Sequence, residues 1–147
     1  LLAGFIWYHP KVFGTIWMRE AGLTEEELAK GNMLKIFGLT FIYSLLIGFM
    51  MMPMVIHQFG AMGMIGGGAP DVVQPESFVK FMEEYGTAYR TFKHGAFHGC
   101  MTGLFFVLPI IAINGLFERK SWKYILINGG YWILNLTVIG SMICGWV

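Results

Sequence analysis

The sequence predicts an all-α integral membrane protein, a bundle of about four transmembrane helices accompanied by two short amphipathic helices at the membrane surface. Two observations predict this fold class. Of the 147 residues, 56% are hydrophobic and only 13% are charged, whereas a soluble domain carries about 25% charged residues. The apolar residues also occur in blocks of the length needed to cross a bilayer, about 20 residues. We therefore expect a single membrane domain over residues 1–147.

Three of these blocks predict complete membrane spans. The spans are residues 36–57, 88–117 and 122–147. Residues 1–8, LLAGFIWY, are equally apolar but too short to cross, so we expect them to be the end of a first span whose beginning is missing. Pro53 and Pro109 lie inside predicted spans, and proline is a common cause of helix kinks. We expect a kink at each.

The segment between the first two spans predicts short helices at the membrane surface. In HPKVFGTIWMREAGL a proline stands at the start and apolar residues recur at helical spacing, which is typical of a helix lying in the interface. Gly22 is the expected end of this helix. Thr24 and Glu27 form the pattern of a capping box. The helix that they start is expected to continue through Gly31 and Asn32 into the second span.

The outer loop, residues 58–87, is the longest connection. It opens with FGAMGMIGGGAP, a glycine- and methionine-rich stretch that we expect to be mobile. It then places Phe78, Phe81, Met82 and Tyr85 on one face of a helix, which predicts a second amphipathic helix. The turn ERKSWK is short enough to join the third and fourth spans as an antiparallel hairpin.

The distribution of lysine and arginine predicts the orientation. Loops 9–35 and 117–123 together carry seven of these residues, and the opposite side carries three. Cytoplasmic loops are enriched in lysine and arginine. Loops 9–35 and 117–123 are therefore expected in the cytoplasm, with loop 58–87 and both termini outside.

The motif FKHGAFHG contains the main candidate site. His94 and His98 are four residues apart and so share one helix face; Arg90 and Thr102 extend that spacing in both directions. His57 lies at the same outer end of the second span, so three imidazoles can converge, and imidazole binds zinc, copper, iron and nickel. Candidate carboxylates in the outer loop are Asp71, Glu76, Glu83 and Glu84.

These histidines allow three interpretations. They can form a polar seam between helices, bind a metal ion or haem, or serve as a proton or small-molecule site, since ionisable residues in membrane spans are often functional. Gly95 stands where the HExxH motif has glutamate, and a charged Arg90 one turn from His94 disfavours a cation. The polar seam is the favoured interpretation, and no metal or haem is predicted.

Small and polar residues in the spans predict helix contacts. Gly95, Gly99 and Gly103 follow one another at intervals of four, and such glycines let a second helix backbone approach closely. Three asparagines are expected to form hydrogen bonds between helices. They are Asn114, Asn128 and Asn135.

Composition also limits the classes of function. A net charge of +1 argues against nucleic-acid binding, because no basic surface is available for phosphates. The two cysteines do not have the spacing of a zinc or redox motif, and no nucleophile or nucleotide-binding motif occurs. The eleven methionines are more typical of packing than of copper ligands. Bound lipid is expected around the spans.

The motifs WYHPKVFGTIWM, AGLTEEELAKGNMLKIFGL, FKHGAFHG and NGLFERKSWKYILINGGYW occur in this order and resemble the DUF1761 family. The resemblance covers nearly the whole chain. It implies a bacterial inner-membrane protein of about four helices, and it carries over no catalytic residue. The outer loop and its short helix look like additions to the compact form of that family.

The leading functional hypothesis is a non-enzymatic accessory protein that packs against other membrane subunits or against copies of itself. The glycine-lined helix faces and the absence of a recognisable catalytic motif favour it. The first alternative is a metal- or haem-binding redox or sensor protein that uses His57, His94 and His98. The second is a small transporter.

Overall fold

A computed structural model describes residues 1–67 and 73–147. Over these residues the chain is helical and contains no strand, which confirms the all-α class. The helices are α1 (Leu2–Trp7), α2 (Thr15–Ala21), α3 (Glu25–Ala29), α4 (Met33–Val55), α5 (Gln58–Met64), α6 (Glu76–Tyr85), α7 (Phe92–Thr102), α8 (Leu108–Phe117) and α9 (Trp122–Gly145). Two π-helical turns, Pro10–Gly14 and Gly103–Val107, precede α2 and join α7 to α8.

Three helices are long and apolar enough to cross a membrane. They are α4 with 23 residues, the continuous helix Phe92–Phe117 with 26, and α9 with 24. The helix α1 has only six residues, so the fourth span stays a prediction.

The short helices near the N-terminus begin and end at residues suited to those positions. Gly22 ends α2 with a positive φ of 76°, a conformation that costs glycine little. The hydroxyl of Thr24 accepts a hydrogen bond from the Glu27 amide and completes a capping box at α3. The expected continuous helix through Asn32 is broken instead: Asn32 is extended and its side chain accepts from the Lys35 amide, because asparagine is more favourable as an N-cap than inside a helix.

The outer connection is more ordered than the sequence predicts. Its first residues form α5 (Gln58–Met64) where we expect a mobile stretch; the rest of that stretch lies in part outside the described residues. The second amphipathic helix is present as α6, and Phe78 is its buried residue.

The third span begins later than residue 88. Tyr89 has a φ of 61°, Thr91 is the N-cap, and α7 starts at Phe92. The π-helical turn Gly103–Val107 directly precedes the helix that contains Pro109. Proline removes one backbone hydrogen bond and crowds the carbonyl four residues before it, and this irregular turn lies where the kink is expected.

A glycine seam, formed by Gly95, Gly99 and Gly103, packs α7 and the following turn directly against α9. A Cβ atom added to Gly99 would lie 2.6 Å from the carbonyl carbon of Leu136, and one added to Gly103 would lie 2.6 Å from the Cα of Ile133. The two helices therefore meet backbone to backbone. The helix α4 covers one side of this pair through a buried cluster. That cluster is Met51, Val55, Ile56, Leu136 and Cys144.

The two basic loops lie at the same end of the bundle. The Lys120 ammonium, in the turn between α8 and α9, donates to the backbone carbonyl of Ala21 at 3.1 Å. Each span then carries the chain to the opposite end, where the end of α4, the start of α7 and the end of α9 meet. The candidate histidines lie at this opposite end.

Candidate functional site

Three histidines from two parts of the chain meet at the end of the bundle opposite the two basic loops. The ring centroids of His57 lie 4.9 Å from those of both His94 and His98, and the latter two are 4.5 Å apart. One ring nitrogen of each lies within 4.8 Å of the corresponding nitrogens of the other two. His57 is exposed, and His94 and His98 are half-buried. The cluster thus lies at the surface of the protein.

His57 is positioned by the end of α4. After Pro53 the helix continues only to Val55, and Ile56 turns away in an extended conformation. The free carbonyl of Val55 accepts a hydrogen bond from the Cys144 thiol at 3.2 Å. Because Val55 and Ile56 are both buried in the core, the backbone entering His57 is fixed by α9.

His94 and His98 are positioned by the start of α7 and by the glycine seam. The Thr91 hydroxyl accepts a hydrogen bond from the His94 amide at 3.2 Å, which fixes the first turn. Gly95 and Gly99 are buried against α9. Each histidine immediately precedes one of these glycines, so it lies about 100° around the helix from the seam. This rotation directs both imidazoles toward the end of α4.

The histidines bond to each other. The Nε2 atoms of His57 and His94 lie 2.9 Å apart, so one ring donates its N–H and the other accepts with its lone pair. The two rings must therefore be in different tautomers when both are neutral. His98 adds a third imidazole within the same group. Neutral imidazole with a free lone pair is the form that binds metal ions.

Tyr89 covers one side of the cluster. Its ring lies 5.1 Å from that of His94, tilted by 33°, and meets His57 edge-on at 6.2 Å. Its backbone φ of 61° is unfavourable for a residue with a side chain, and such strain is often found at functional sites.

Cavities border the cluster on both sides of Tyr89. One of about 140 Å³ is lined by His57, Gln58 and residues of the α6–α7 region. A wider groove of about 440 Å³ runs past His94. Each cavity is lined in part by a histidine of the cluster, His57 in the first and His94 in the second.

Arg90 does not extend the histidine face. Because α7 begins at Phe92, Arg90 precedes the helix. Its Nε donates to the carbonyl of Cys144 and its Nη2 to the carbonyl of Trp146, both at 2.9 Å. A cation at the C-terminal end of a helix satisfies free carbonyls and complements the helix dipole. The guanidinium is therefore engaged at the end of α9.

Comparison with known families agrees with the resemblance in the sequence. A family model described as "Protein of unknown function (DUF1761)" matches residues 1–144. The chain belongs to the DUF1761 family. A search of curated proteins and a search of solved structures found no match. The predicted family is confirmed, and the functional argument for this DUF1761 protein rests on its own residues.

The other predicted polar residues of this DUF1761 chain are not members of the histidine cluster. Thr102 donates to the carbonyl of His98 within α7. Asn128 accepts from the Tyr8 hydroxyl at 2.9 Å and so connects α9 to the end of α1. Asn114 is exposed on α8 and Asn135 is half-buried on α9.

Carboxylates are not part of the described cluster. The group of ligand atoms within 4.8 Å of one another contains the three histidines alone among the described residues. Glu76 forms an ion pair with Lys80 at 2.6 Å. Asp71 lies outside the residues that the structure describes. What the described part of the chain offers is therefore a neutral, all-imidazole donor set.

Sequence reasoning missed several residues that support the site. Gln58 donates to the carbonyls of Tyr85 and Ala88 and so holds the segment before α7 against the end of α4. The Cys144 sulfur also lies 3.3 Å from the carbonyl oxygen of Tyr89, so its single S–H is shared between the Tyr89 and Val55 carbonyls. Thr91 is the residue that could have indicated the true start of α7, because threonine is favoured at the N-cap. An N-cap at Thr91 leaves Arg90 outside the helix.

Proposed function

We propose that this protein binds a transition-metal ion, zinc or copper, through His57, His94 and His98. The observation that carries the proposal is the convergence of three imidazoles within 4.8 Å. Three histidines that leave a fourth position open are a common donor set for a zinc ion with a bound water, and imidazole suits copper equally. The proposed function is binding, with no catalytic step.

The ring nitrogens of His57 and His94 need only a small adjustment to bind one ion. Imidazole–zinc bonds of about 2.0–2.1 Å at tetrahedral angles place two ligand nitrogens about 3.3 Å apart. The Nε2 atoms of His57 and His94 are 2.9 Å apart, so an ion entering between them replaces their hydrogen bond with a slight separation of the rings.

Haem fits this arrangement less well. Two histidines on opposite sides of a haem iron need nitrogens about 4 Å apart, twice an imidazole–metal bond, with the flat macrocycle between the rings. The ring centroids of the cluster are only 4.5–4.9 Å apart, and all three imidazoles meet at one point. This geometry favours a bare ion.

We propose metal binding in place of the polar seam that the sequence favours, because a ring nitrogen of each of the three histidines lies within 4.8 Å of those of the other two. The hydrogen bond between His57, after α4, and His94, on α7, is also what a polar seam would contain, so the two interpretations are separated by experiment. Protonating two rings this close places like charges side by side. A bound cation uses the same lone pairs favourably.

We propose further that the site faces the outside of a bacterial inner membrane. The support is the positive-inside rule: the end with loops 9–35 and 117–123 carries seven lysines and arginines against three at the histidine end. Labelling of single cysteines at Ser77 and Ala29 with a membrane-impermeant reagent in intact cells tests this. Labelling of position 29 alone would reverse the orientation.

The accessory role is a second, weaker proposal. The glycine seam that motivated it packs within the chain, so it no longer offers a surface to another subunit. Support now comes from α4, on which Leu34, Phe37 and Phe49 are exposed; lipid or a membrane partner can cover such a face. A stoichiometric partner retained in mild detergent tests this role.

The histidine site is tested by metal retention. The purified protein is loaded separately with zinc and with copper, freed of unbound metal, and its metal content is measured. We expect about one ion per chain, lost in the His94→Gln and His98→Gln variants, because a carboxamide is a poor replacement for imidazole. His9→Gln is the matched control, since His9 is exposed and at the other end of the bundle.

The variants separate ligand loss from unfolding. Glutamine retains a donor and an acceptor, so the helical content and thermal stability of each variant should stay close to those of the wild type. If the wild type retains no metal, or if both site variants retain as much as His9→Gln, the histidines are a polar seam and the proposal fails.

A further inference from the structure

A cavity lined mainly by aromatic side chains adjoins the histidine cluster. It has a volume of about 140 Å³ and is enclosed by the start of α5, by α6 and by the segment before α7. Its lining residues are His57, Gln58, Phe81, Tyr85, Ala88 and Tyr89. A cavity of about 150 Å³ can hold a benzene molecule, so this one has room for a small organic ligand.

The rings in this lining favour a positively charged ligand. Phe81 and Tyr85 are four residues apart on α6, and their ring centroids lie 5.1 Å from each other. The ring of Tyr89 meets that of His57 edge-on at 6.2 Å. Aromatic rings attract cations, and grouped aromatic residues are a common means of binding ligands that carry an ammonium group.

Gln58 adds an unpaired hydrogen-bond acceptor to the lining. The residue is only 8% exposed, and its Nε2 donates to the carbonyls of Tyr85 and Ala88 at 2.8 and 3.0 Å. Both N–H groups of the amide are therefore used. Its Oε1 is buried and has no hydrogen-bond partner within residues 1–67 and 73–147. An unsatisfied buried acceptor is destabilising, and a ligand with an N–H group would satisfy it.

The charge of α6 also favours a cation. The Glu84 carboxylate raises the pKa of the Tyr85 hydroxyl through a hydrogen bond, so a carboxylate lies at the polar end of one lining ring. Glu76 is paired with Lys80. Among the residues that the structure describes, neither Glu83 nor Glu84 belongs to an ion pair. The helix that supplies two of the rings therefore has an excess of negative charge.

We infer that this cavity binds a primary ammonium group, whose charge is attracted by the aromatic rings and whose N–H is accepted by Oε1 of Gln58. A primary ammonium has three N–H donors, whereas a quaternary ammonium has none. The group can belong to a free alkylamine or to the headgroup of phosphatidylethanolamine. This inference goes beyond the proposed metal site and does not depend on it.

Fluorine NMR with 2-fluoroethylammonium as the probe tests the inference in detergent. The fluorine signal is titrated with purified protein freed of metal, because His57 lines the cavity and also belongs to the proposed metal site. The N-trimethylated form of the probe keeps the charge and lacks the N–H donors. Phe81→Leu removes one ring of the lining. Phe37→Leu is its matched control, since Phe37 is 56% exposed on α4 and does not line the cavity.

We expect saturable binding of the probe by the wild type and by Phe37→Leu. Phe81→Leu should bind it about 2- to 5-fold more weakly, the effect of one cation–π contact at an exposed site. The wild type should prefer the primary probe to the trimethylated one by about 10-fold, the effect of one hydrogen bond from a charged donor.

Gln58→Met separates hydrogen bonding from ligand size, and it should abolish this preference. A preference that persists in Gln58→Met would come from size and would overturn the assignment of Oε1. No saturable binding by the wild type, or equal binding by Phe81→Leu and Phe37→Leu, would overturn the whole inference whether or not Gln58→Met folds. Either result would leave the proposed metal site standing.

Nanodiscs distinguish the two sources of the ammonium group. In nanodiscs of phosphatidylcholine the probe should bind as it does in detergent. Weaker binding of the probe in nanodiscs that also contain phosphatidylethanolamine would identify the lipid headgroup as the ligand. Unchanged binding there would identify a free amine. Both results support the ammonium site, because both require that the probe binds.

Discussion

Replacing Gly99 by alanine tests the contact that positions two of the three histidines. An added Cβ would lie 2.6 Å from the carbonyl carbon of Leu136 and 3.0 Å from the Cα of Thr137. Both are backbone atoms of α9, so no change of side-chain rotamer can relieve the overlap. The two helices must move apart over the length of the seam.

The expected magnitude follows from two opposing effects. Alanine is favoured over glycine inside a helix by about 1 kcal/mol. Overpacking a tight contact costs about 1–3 kcal/mol, and the upper part of this range applies where backbone meets backbone. We therefore expect a net loss of about 1–2 kcal/mol in stability.

Thermal unfolding of the purified protein in one detergent measures this difference. Gly38→Ala on α4 is the control, because a Cβ there meets no atom within 4 Å. That variant should be neutral or slightly more stable. Zinc or copper retention is measured on the same samples, since displacing α7 also displaces His94 and His98. If Gly99→Ala is as stable as Gly38→Ala, α7 and α9 do not cross at this glycine and the packing argument is refuted.

Two further predictions concern helix ends. Arg90→Met removes both donors to the end of α9 and should cost about 1.5 kcal/mol, the low end for charged hydrogen bonds because one is exposed; thermal unfolding should show no such loss in Lys93→Met. The Thr24 amide, which donates to Glu27 at 2.8 Å, together with the Thr24 hydroxyl lowers the pKa of the Glu27 carboxyl. The capping box therefore stabilises α3 above the ordinary glutamate pKa, and this is lost as the pH falls through the lowered value. The protection factors of the α3 amides, which are their exchange rates corrected for the intrinsic rate at each pH, should fall over that window, and unchanged protection factors between neutral and acid pH would contradict the assignment.

The fold class was predictable because it depends on the length of apolar blocks. A span needs about 20 apolar residues wherever it lies, and the three blocks show this without reference to packing. Helix boundaries depend on single residues. Asn32 interrupts the helix that the sequence predicts to be continuous, and Thr91 places the start of α7 later than predicted. N-cap preferences identify both boundaries, whereas the apolar pattern alone does not.

The candidate site was predictable only in part. Spacing places His94 and His98 on one face, and span ends place His57 at the same end of the bundle. The hydrogen bond between His57 and His94 depends on the distance between α4 and α7. No local sequence pattern indicates that distance. The same applies to the glycines: their spacing shows that a helix packs closely there, but not that the helix is α9 of the same chain.

The motif HGAFHG links packing to chemistry in a single repeat. Each histidine precedes a seam glycine, so the contact that excludes a side chain at Gly95 and Gly99 also sets the direction of His94 and His98. The Cys144 thiol fixes the end of α4 to α9 through Val55. Contacts with α9 therefore set the positions of all three imidazoles, although none of the three histidines lies on α9. A site held by packed helices keeps its geometry better than one on free loops. This arrangement explains how three imidazoles from two parts of the chain are held together at an exposed end of the bundle.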